Sequence, residues 1–190
     1  RLVSHQTDNG NLLAQRIGGG GAINDTMAIE GYFVGERDDN GDFGLESYEV
    51  ELRWQLIEQG KLWADWGALF ELEKMHNEDI YEATTGFLIE KEFGKTSLTM
   101  NAFLVYEWGK DIQNEWETQF RVQYRYRYLS AFQPSIELYA GEDFIGIGPG
   151  FIGLYRFEGQ KQLKWEAGFI SEISQAEKNH SFRLALEFEF

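Results

Sequence analysis

Two segments of the sequence have residue spacings that bind ligands in other proteins. Residues 148–153 fit the spacing G-x-G-x-x-G, which cradles phosphate where a strand precedes it and a helix follows. Here Pro149 lies inside the motif and strand-like alternation follows, so we expect a glycine-rich hairpin or wall. Residues 38–49 place acidic side chains at calcium-loop spacing, but Phe43 takes the position that requires glycine, so we expect an acidic hairpin loop.

A catalytic set would need a nucleophile and a base on the same surface. His180 and Ser181, with Glu172 or Glu187, resemble the residue types that membrane-embedded lipid A deacylases use. Neighbouring residues of a strand point to opposite faces, however, and His180 falls in a predicted loop. We therefore expect no catalytic residue and no enzymatic activity. Three histidines without ligand spacing, and no cysteine, predict neither a metal site nor a cofactor.

The strongest candidates for function are charged residues that share one face of alternating segments. Arg121, Arg125 and Arg127 occupy the same face of one predicted strand. Their expected partners are Glu107 on the preceding strand and Glu137 on the following strand. The other candidates for the same side of the sheet are Glu49, Glu51, Arg53, Asp65, Glu71 and Glu82.

These charges permit two interpretations. In the first, opposite charges pair across a narrow interior and fill it, because a lone buried ion is costly. In the second, water remains between them, and the separated charges select small solutes as rings of charge do in pores. The sequence leaves both interpretations open.

Alternation of apolar and polar residues with period two predicts the elements that position these charges. It is clearest in residues 48–56 and 116–128 and recurs to residue 190, which gives about ten strands, with twelve as the alternative count. We expect an all-β, transmembrane, antiparallel up-and-down barrel over residues 26–190. Residues 1–25 show no clear strand and include glycine at 18–21. They could form a flexible periplasmic segment, a plug in the lumen or two further strands.

The connections between the predicted strands alternate in character. An even strand count places both ends of the chain on one side, which we expect to be the periplasm. Tight turns are predicted at 58–61, 93–95, 130–133 and 158–161, and polar loops at 38–43, 74–79, 109–113 and 174–180.

The apolar face is predicted to point outward, toward lipid. A soluble β-sandwich or a lipocalin-like barrel would show the same alternation with the apolar face inward. Here the apolar face is nearly free of charge, and aromatic residues such as Tyr48, Trp66, Trp108 and Tyr128 cluster near strand ends. Two interfacial girdles of aromatic residues are typical of transmembrane barrels.

The last predicted strand resembles the terminal strand of bacterial outer-membrane barrels. Apolar residues alternate from Phe182 through Leu184 and Leu186 to Phe188 and Phe190. In that class, a strand ending in Phe is the signal that the barrel-assembly machinery reads. The chain is also similar to small porin-like families such as the oligogalacturonate-specific porins, which have twelve strands. The resemblance implies the bacterial outer membrane as location, with lipid and lipopolysaccharide as neighbours.

Composition narrows the range of functions. The formal net charge of -15 argues against nucleic-acid binding, which needs an excess of Lys and Arg. No apolar stretch is long enough for a transmembrane helix, and the polar start at Arg1 suggests a mature or trimmed chain. We expect a narrow channel for small solutes with a charged lumen. The alternatives are a closed structural or partner-binding barrel, a barrel-embedded hydrolase and a soluble ligand binder.

Overall fold

The computed structural model describes residues 1–7, 10–37, 41–142, 144–159, 161–174 and 179–190. They form a closed antiparallel barrel in which each strand pairs with its sequence neighbours and the last strand pairs with the first. The strands are β1 (Leu2–Thr7), β2 (Gly10–Asn24), β3 (Met27–Arg37), β4 (Phe43–Gln55), β5 (Asp65–Met75), β6 (Ile80–Phe93), β7 (Thr96–Gly109), β8 (Glu115–Tyr126), β9 (Gln133–Ala140), β10 (Ile145–Arg156), β11 (Gln162–Glu172) and β12 (His180–Glu189). No helix in these ranges is long and apolar enough to cross a bilayer.

The barrel has twelve strands, the alternative count, and not ten. The two additional strands, β1 and β2, lie within residues 1–25 and form part of the wall, which begins at Leu2, ahead of the predicted boundary at residue 26. In β2 the alternation is hidden because the glycines at 18–21 have no side chains to display it. A Cβ on Gly18 would overlap the ring of Tyr32 on β3, so this glycine allows the tyrosine to lie flat against the wall.

The connections divide between two ends of the barrel, which we call lower and upper. The lower end contains Arg1, Phe190 and the connections that follow β2, β4, β6, β8 and β10. All four predicted tight turns fall there, and all four predicted polar loops fall at the upper end, although residues 38–40, 160 and 175–178 lie outside the described part of the chain. The lower connections are not the shorter ones, since the longest gap between consecutive strands, 56–64, lies at the lower end.

The two faces of the wall are sorted as predicted. Apolar side chains of the outer face are exposed, such as Leu104 at 44% and Leu186 at 66%. Charged side chains of the inner face are buried, such as Glu51 at 3% and Glu137 at 1%. A soluble barrel requires the reverse arrangement, so the apolar face is the one that meets lipid. Segment 148–153 lies inside β10 and is followed by strand, which confirms a glycine-rich wall.

Aromatic residues form a belt near each end of the outer face. At the upper end, Tyr81 stacks on Trp108 with ring centroids 5.6 Å apart. At the lower end, Trp63 meets Trp66 edge to face at 5.5 Å. Such belts mark the two interfaces between membrane and water.

The orientation of the faces can be tested on a single strand. Leu104→Arg places a cation on the lipid face near the middle of β7, which should destabilise the barrel by about 2–4 kcal/mol. Thr99→Arg, on the inner face of β7 opposite Glu90, should change stability little. Urea unfolding in phospholipid vesicles, followed by tryptophan fluorescence, measures both. Equal stability of Leu104→Arg and the parent would contradict the orientation.

Candidate functional site in the barrel lumen

A row of glutamates crosses five consecutive strands on the inner face. Glu49 on β4 is directly opposite Glu73, which is opposite Glu82. Glu82 is opposite Glu107, and Glu107 is opposite Glu115 on β8. We call these five residues the glutamate row. Like charges directly opposite each other in a sheet are destabilising, so the arrangement requires a counter-charge or water beside it.

Arg16 supplies the counter-charge at one end of the row. Its guanidinium on β2 reaches past β3 to Glu49 at 2.5 Å, Glu71 at 2.8 Å and Glu51 at 3.5 Å. It lies 3.7 Å from the centroid of the Tyr32 ring, which holds it above β3. Sequence reasoning missed Arg16, because it lies in the segment where no strand was recognised. The only available signal was its neighbourhood in an otherwise apolar stretch, which is weak.

The remaining members of the row have no such partner. Among the described residues, no Lys or Arg nitrogen lies within ion-pair distance of Glu73, Glu82, Glu107 or Glu115. Carboxylate oxygens of Glu71, Glu73 and Glu82 all lie within 4.8 Å of one another. This side of the lumen therefore gathers carboxyl groups that have no basic partner among the described residues.

On the opposite wall, an ion pair bridges β12 and β9. Nη2 of Arg183 lies 2.8 Å and 3.0 Å from the two carboxylate oxygens of Glu137, and Arg183 also donates to the hydroxyl of Tyr139. Between Arg183 and Glu137 lie β10 and β11, which have Gly150 and Gly168 at these positions. A Cβ on Gly150 would overlap the Glu137 carboxylate, and one on Gly168 would lie 3.4 Å from Nη2 of Arg183. Because these two glycines have no side chains, the ion pair can extend across β10 and β11.

The three arginines of β8 and its following residues differ in their partners. Arg125 reaches across the small Ser97 on β7 to Glu90 on β6 at 2.9 Å, and Arg127 binds Glu92 at 2.7 Å.

The expected pairing of these arginines with Glu107 and Glu137 is wrong. Glu107 belongs to the glutamate row, and Glu137 is occupied by Arg183. The expectation assumed contacts between adjacent strands. A long arginine side chain instead reaches the second strand along wherever the residue between is small.

Arg121 differs from Arg125 and Arg127, because no carboxylate of the described residues lies within ion-pair distance of it. It donates to the amide oxygen of Gln119 at 3.1 Å. Its guanidinium lies 4.6 Å from the ring centroid of Phe103, and that ring covers Gly86.

The lumen contains cavities toward both of its ends. The upper one, of about 500 Å³, includes Glu115, Glu117, Arg121, Tyr139 and Glu172 in its lining. The lower one, of about 420 Å³, is lined on its inner side by Arg53, Asp65, Glu90, Thr99 and Asn101. Arg121 of the upper cavity and Asn101 of the lower cavity are directly opposite each other on β8 and β7, so the two cavities come close together at this pair.

The residues predicted to line the lumen fall on the inner face by strand register. Arg127 follows the end of β8 at the lower end. The inner-face residues are Glu49, Glu51, Arg53, Asp65, Glu71, Glu82, Glu107, Arg121, Arg125 and Glu137. Phe188 is 52% exposed on the outer face and Phe190 is 93% exposed. Their role in assembly stays a prediction.

His180 and Ser181 do not form a catalytic pair. His180 begins β12, where a loop was expected, and its ring packs 5.5 Å from that of Phe169 on the outer face. Ser181 is the next residue and belongs to the inner face, opposite Ile170.

No protein-family model matches the chain, and no curated protein matches it. Among solved structures, the chain is similar to the KdgM porin in complex with disordered oligogalacturonate, with a TM-score of 0.61 and 10% identity over 100% of this chain and 97% of that chain. It also matches OmpTdeltaL8, a loop L8 deletion mutant of the outer membrane protein OmpT of Vibrio cholerae, with a TM-score of 0.43 and 8% identity over 99% and 96% of the two chains. The first likeness shows that the chain has the fold of a small porin barrel.

The bridge across the glycines can be tested by removing one charge. Glu137→Gln leaves Arg183 buried without its carboxylate, which should lower the free energy of unfolding by about 3–5 kcal/mol. Glu92→Gln removes the corresponding partner of Arg127, where the two side chains are 33% and 48% exposed, and should lower it by about 0–1 kcal/mol. Urea unfolding of both variants gives the comparison. Similar losses in the two variants would show that the buried bridge stabilises the barrel no more than the exposed pair does.

Proposed function

We propose that the chain is a narrow outer-membrane channel that favours small cationic solutes. The observation that carries this proposal is the glutamate row. Four of its five carboxylates lack a basic partner among the described residues, and the one arginine beside it already serves three carboxylates.

Water is required beside such a row. A dry lumen would bury Glu73, Glu82, Glu107 and Glu115 as unpaired ions, each at a penalty of several kcal/mol, or would force them to bind protons. A wet lumen keeps them charged and hydrated, and it concentrates cations along this wall. The upper cavity of about 500 Å³ provides room for water beside Glu115, the member of the row that it includes in its lining.

The outer face supports a location in the bacterial outer membrane. Its apolar band and aromatic belts suit contact with lipid and lipopolysaccharide. The likeness to the KdgM porin supports a porin-like role at the level of the fold. We propose no enzymatic activity, since His180 and Ser181 lie on opposite faces.

A closed structural barrel is the second candidate, and one observation favours it. Between the two cavities, Arg121 lies over Phe103, which is only 8% exposed. A tightly packed layer there would stop conduction and leave a barrel whose charges only stabilise the wall.

Conductance separates the two candidates. In planar bilayers under a KCl gradient, the purified barrel should conduct, with a reversal potential that shows preference for K⁺. The double variant Glu82→Gln with Glu107→Gln should move that potential toward zero, because it removes two of the unpaired charges.

The control changes the same number of charges away from the row. Glu58→Gln with Glu158→Gln removes two carboxylates from lower-end connections and should leave the reversal potential near that of the parent. Failure of the parent to conduct would contradict the channel. A conducting parent with no preference for K⁺, or equal shifts in both double variants, would contradict the role of the row.

A further inference from the structure

Arg121 is a cation in the lumen that is left without a carboxylate by its neighbours. Its guanidinium and that of Arg183 flank the Tyr139 ring, at 5.9 Å and 5.7 Å from the centroid. The carboxylate of Glu137 is held by Arg183 through both oxygens. The side chain of Arg1 also interacts electrostatically with Arg121, Arg183 and Tyr139, so three guanidiniums share one carboxylate at this point of the lumen. A guanidinium stays charged at any ordinary pH, so the remaining positive charge must be met by water or by a solute.

The same cavity has the opposite charge above Arg121. Glu117 and Glu115 lie on the inner face of β8, toward the upper end, and neither has a Lys or Arg partner among the described residues. Going down β8 from the upper end, the inner face reads Glu115, Glu117, Gln119, Arg121. The cavity thus has acceptors for cationic groups near its mouth and a donor for an anionic group at its base.

We propose that the upper cavity binds small solutes that carry a carboxylate at one end and a cationic group at the other, as basic amino acids do in addition to their α-ammonium group. Arg121 binds the carboxylate, and Glu115 and Glu117 bind the cationic group at the far end. The volume of about 500 Å³ lies within the range of small-molecule sites. The inference deepens the proposed function by naming a solute class, and it rests on that function only in requiring a hydrated lumen.

Solutes whose charges all have the same sign fit the cavity less well. A simple diamine can form ion pairs with Glu115 and Glu117 but leaves Arg121 without an anionic partner. A simple carboxylate satisfies Arg121 but must pass the acidic residues of the mouth, which repel it. A solute with both kinds of group meets both requirements, and the charge order along β8 orients it with its carboxylate toward the base.

The test compares L-lysine with cadaverine, which is L-lysine without its carboxylate. Saturation-transfer NMR on the purified full-length barrel in detergent micelles gives the affinity of each, and it does not depend on conduction. L-lysine should bind about tenfold more tightly than cadaverine, as one charged hydrogen-bonded contact predicts. Hexanoate, which lacks both amino groups, should bind more weakly than L-lysine.

Variants of β8 assign the difference to Arg121. Arg121→Gln should bind L-lysine no better than cadaverine, and Arg121→Lys should retain part of the preference. Arg125→Gln is the matched control, since Arg125 lies on the same strand and face but is paired with Glu90 below the upper cavity. It should keep the full preference.

Equal binding of L-lysine and cadaverine by the parent overturns the inference, whether or not any variant folds. A preference that survives in a folded Arg121→Gln barrel overturns the role of Arg121. A parent that prefers L-lysine but passes no current would support the site and contradict the channel, whereas a conducting parent without the preference would do the reverse.

Discussion

A charge near the middle of the lipid face of a transmembrane wall is costly, and this constraint organises the whole chain. With 32 acidic and 17 basic residues, the strands must carry their charges on the inner face, where each one needs a partner or water. The alternation that exposes Leu104 to lipid is the same alternation that turns Glu107 into the lumen. Because acidic residues outnumber basic ones, pairing is incomplete, and the excess negative charge gathers in the glutamate row. The proposed wet, cation-attracting lumen rests on this excess of carboxylates over basic partners.

The paired charges show how a barrel wall accommodates long side chains. Arg183 crosses two glycines to reach Glu137, and Arg125 crosses a serine to reach Glu90. These contacts link strands that are not neighbours in the sheet, so they tie together parts of the wall that backbone hydrogen bonds do not join. Small residues on the inner face therefore have a definite role. They clear the space through which arginines bridge strands, and their positions decide which carboxylates remain unpaired.

Period-two patterning was enough to predict the barrel, the direction of its faces and the inner position of the charges, because a strand sorts alternate residues without regard to its partners. It does not reveal a strand where side chains are missing, as around Gly18 in β2. Period-two patterning also does not predict which charged side chains pair with each other. The reach of Arg121 or Arg16 depends on strand register and on the bulk of intervening residues, and neither can be read from one strand. The contrast between a paired Arg125 and an unpaired Arg121, on which the proposed solute site depends, emerged only from the assembled wall.

The central claim is that the lumen beside the glutamate row is hydrated and negative, and two adjacent threonines of β6 test it most directly. Thr84 faces the lumen opposite Glu71, whereas Thr85 faces lipid opposite Leu104. The chain has no cysteine, so each position can carry a single reactive thiol. In vesicles, Thr84→Cys should react with water-soluble methanethiosulfonates, several-fold faster with a cationic reagent than with an anionic one of similar size, and Thr85→Cys should be protected from both. An unreactive Thr84→Cys, or one that reacts equally with the two reagents, would contradict the account.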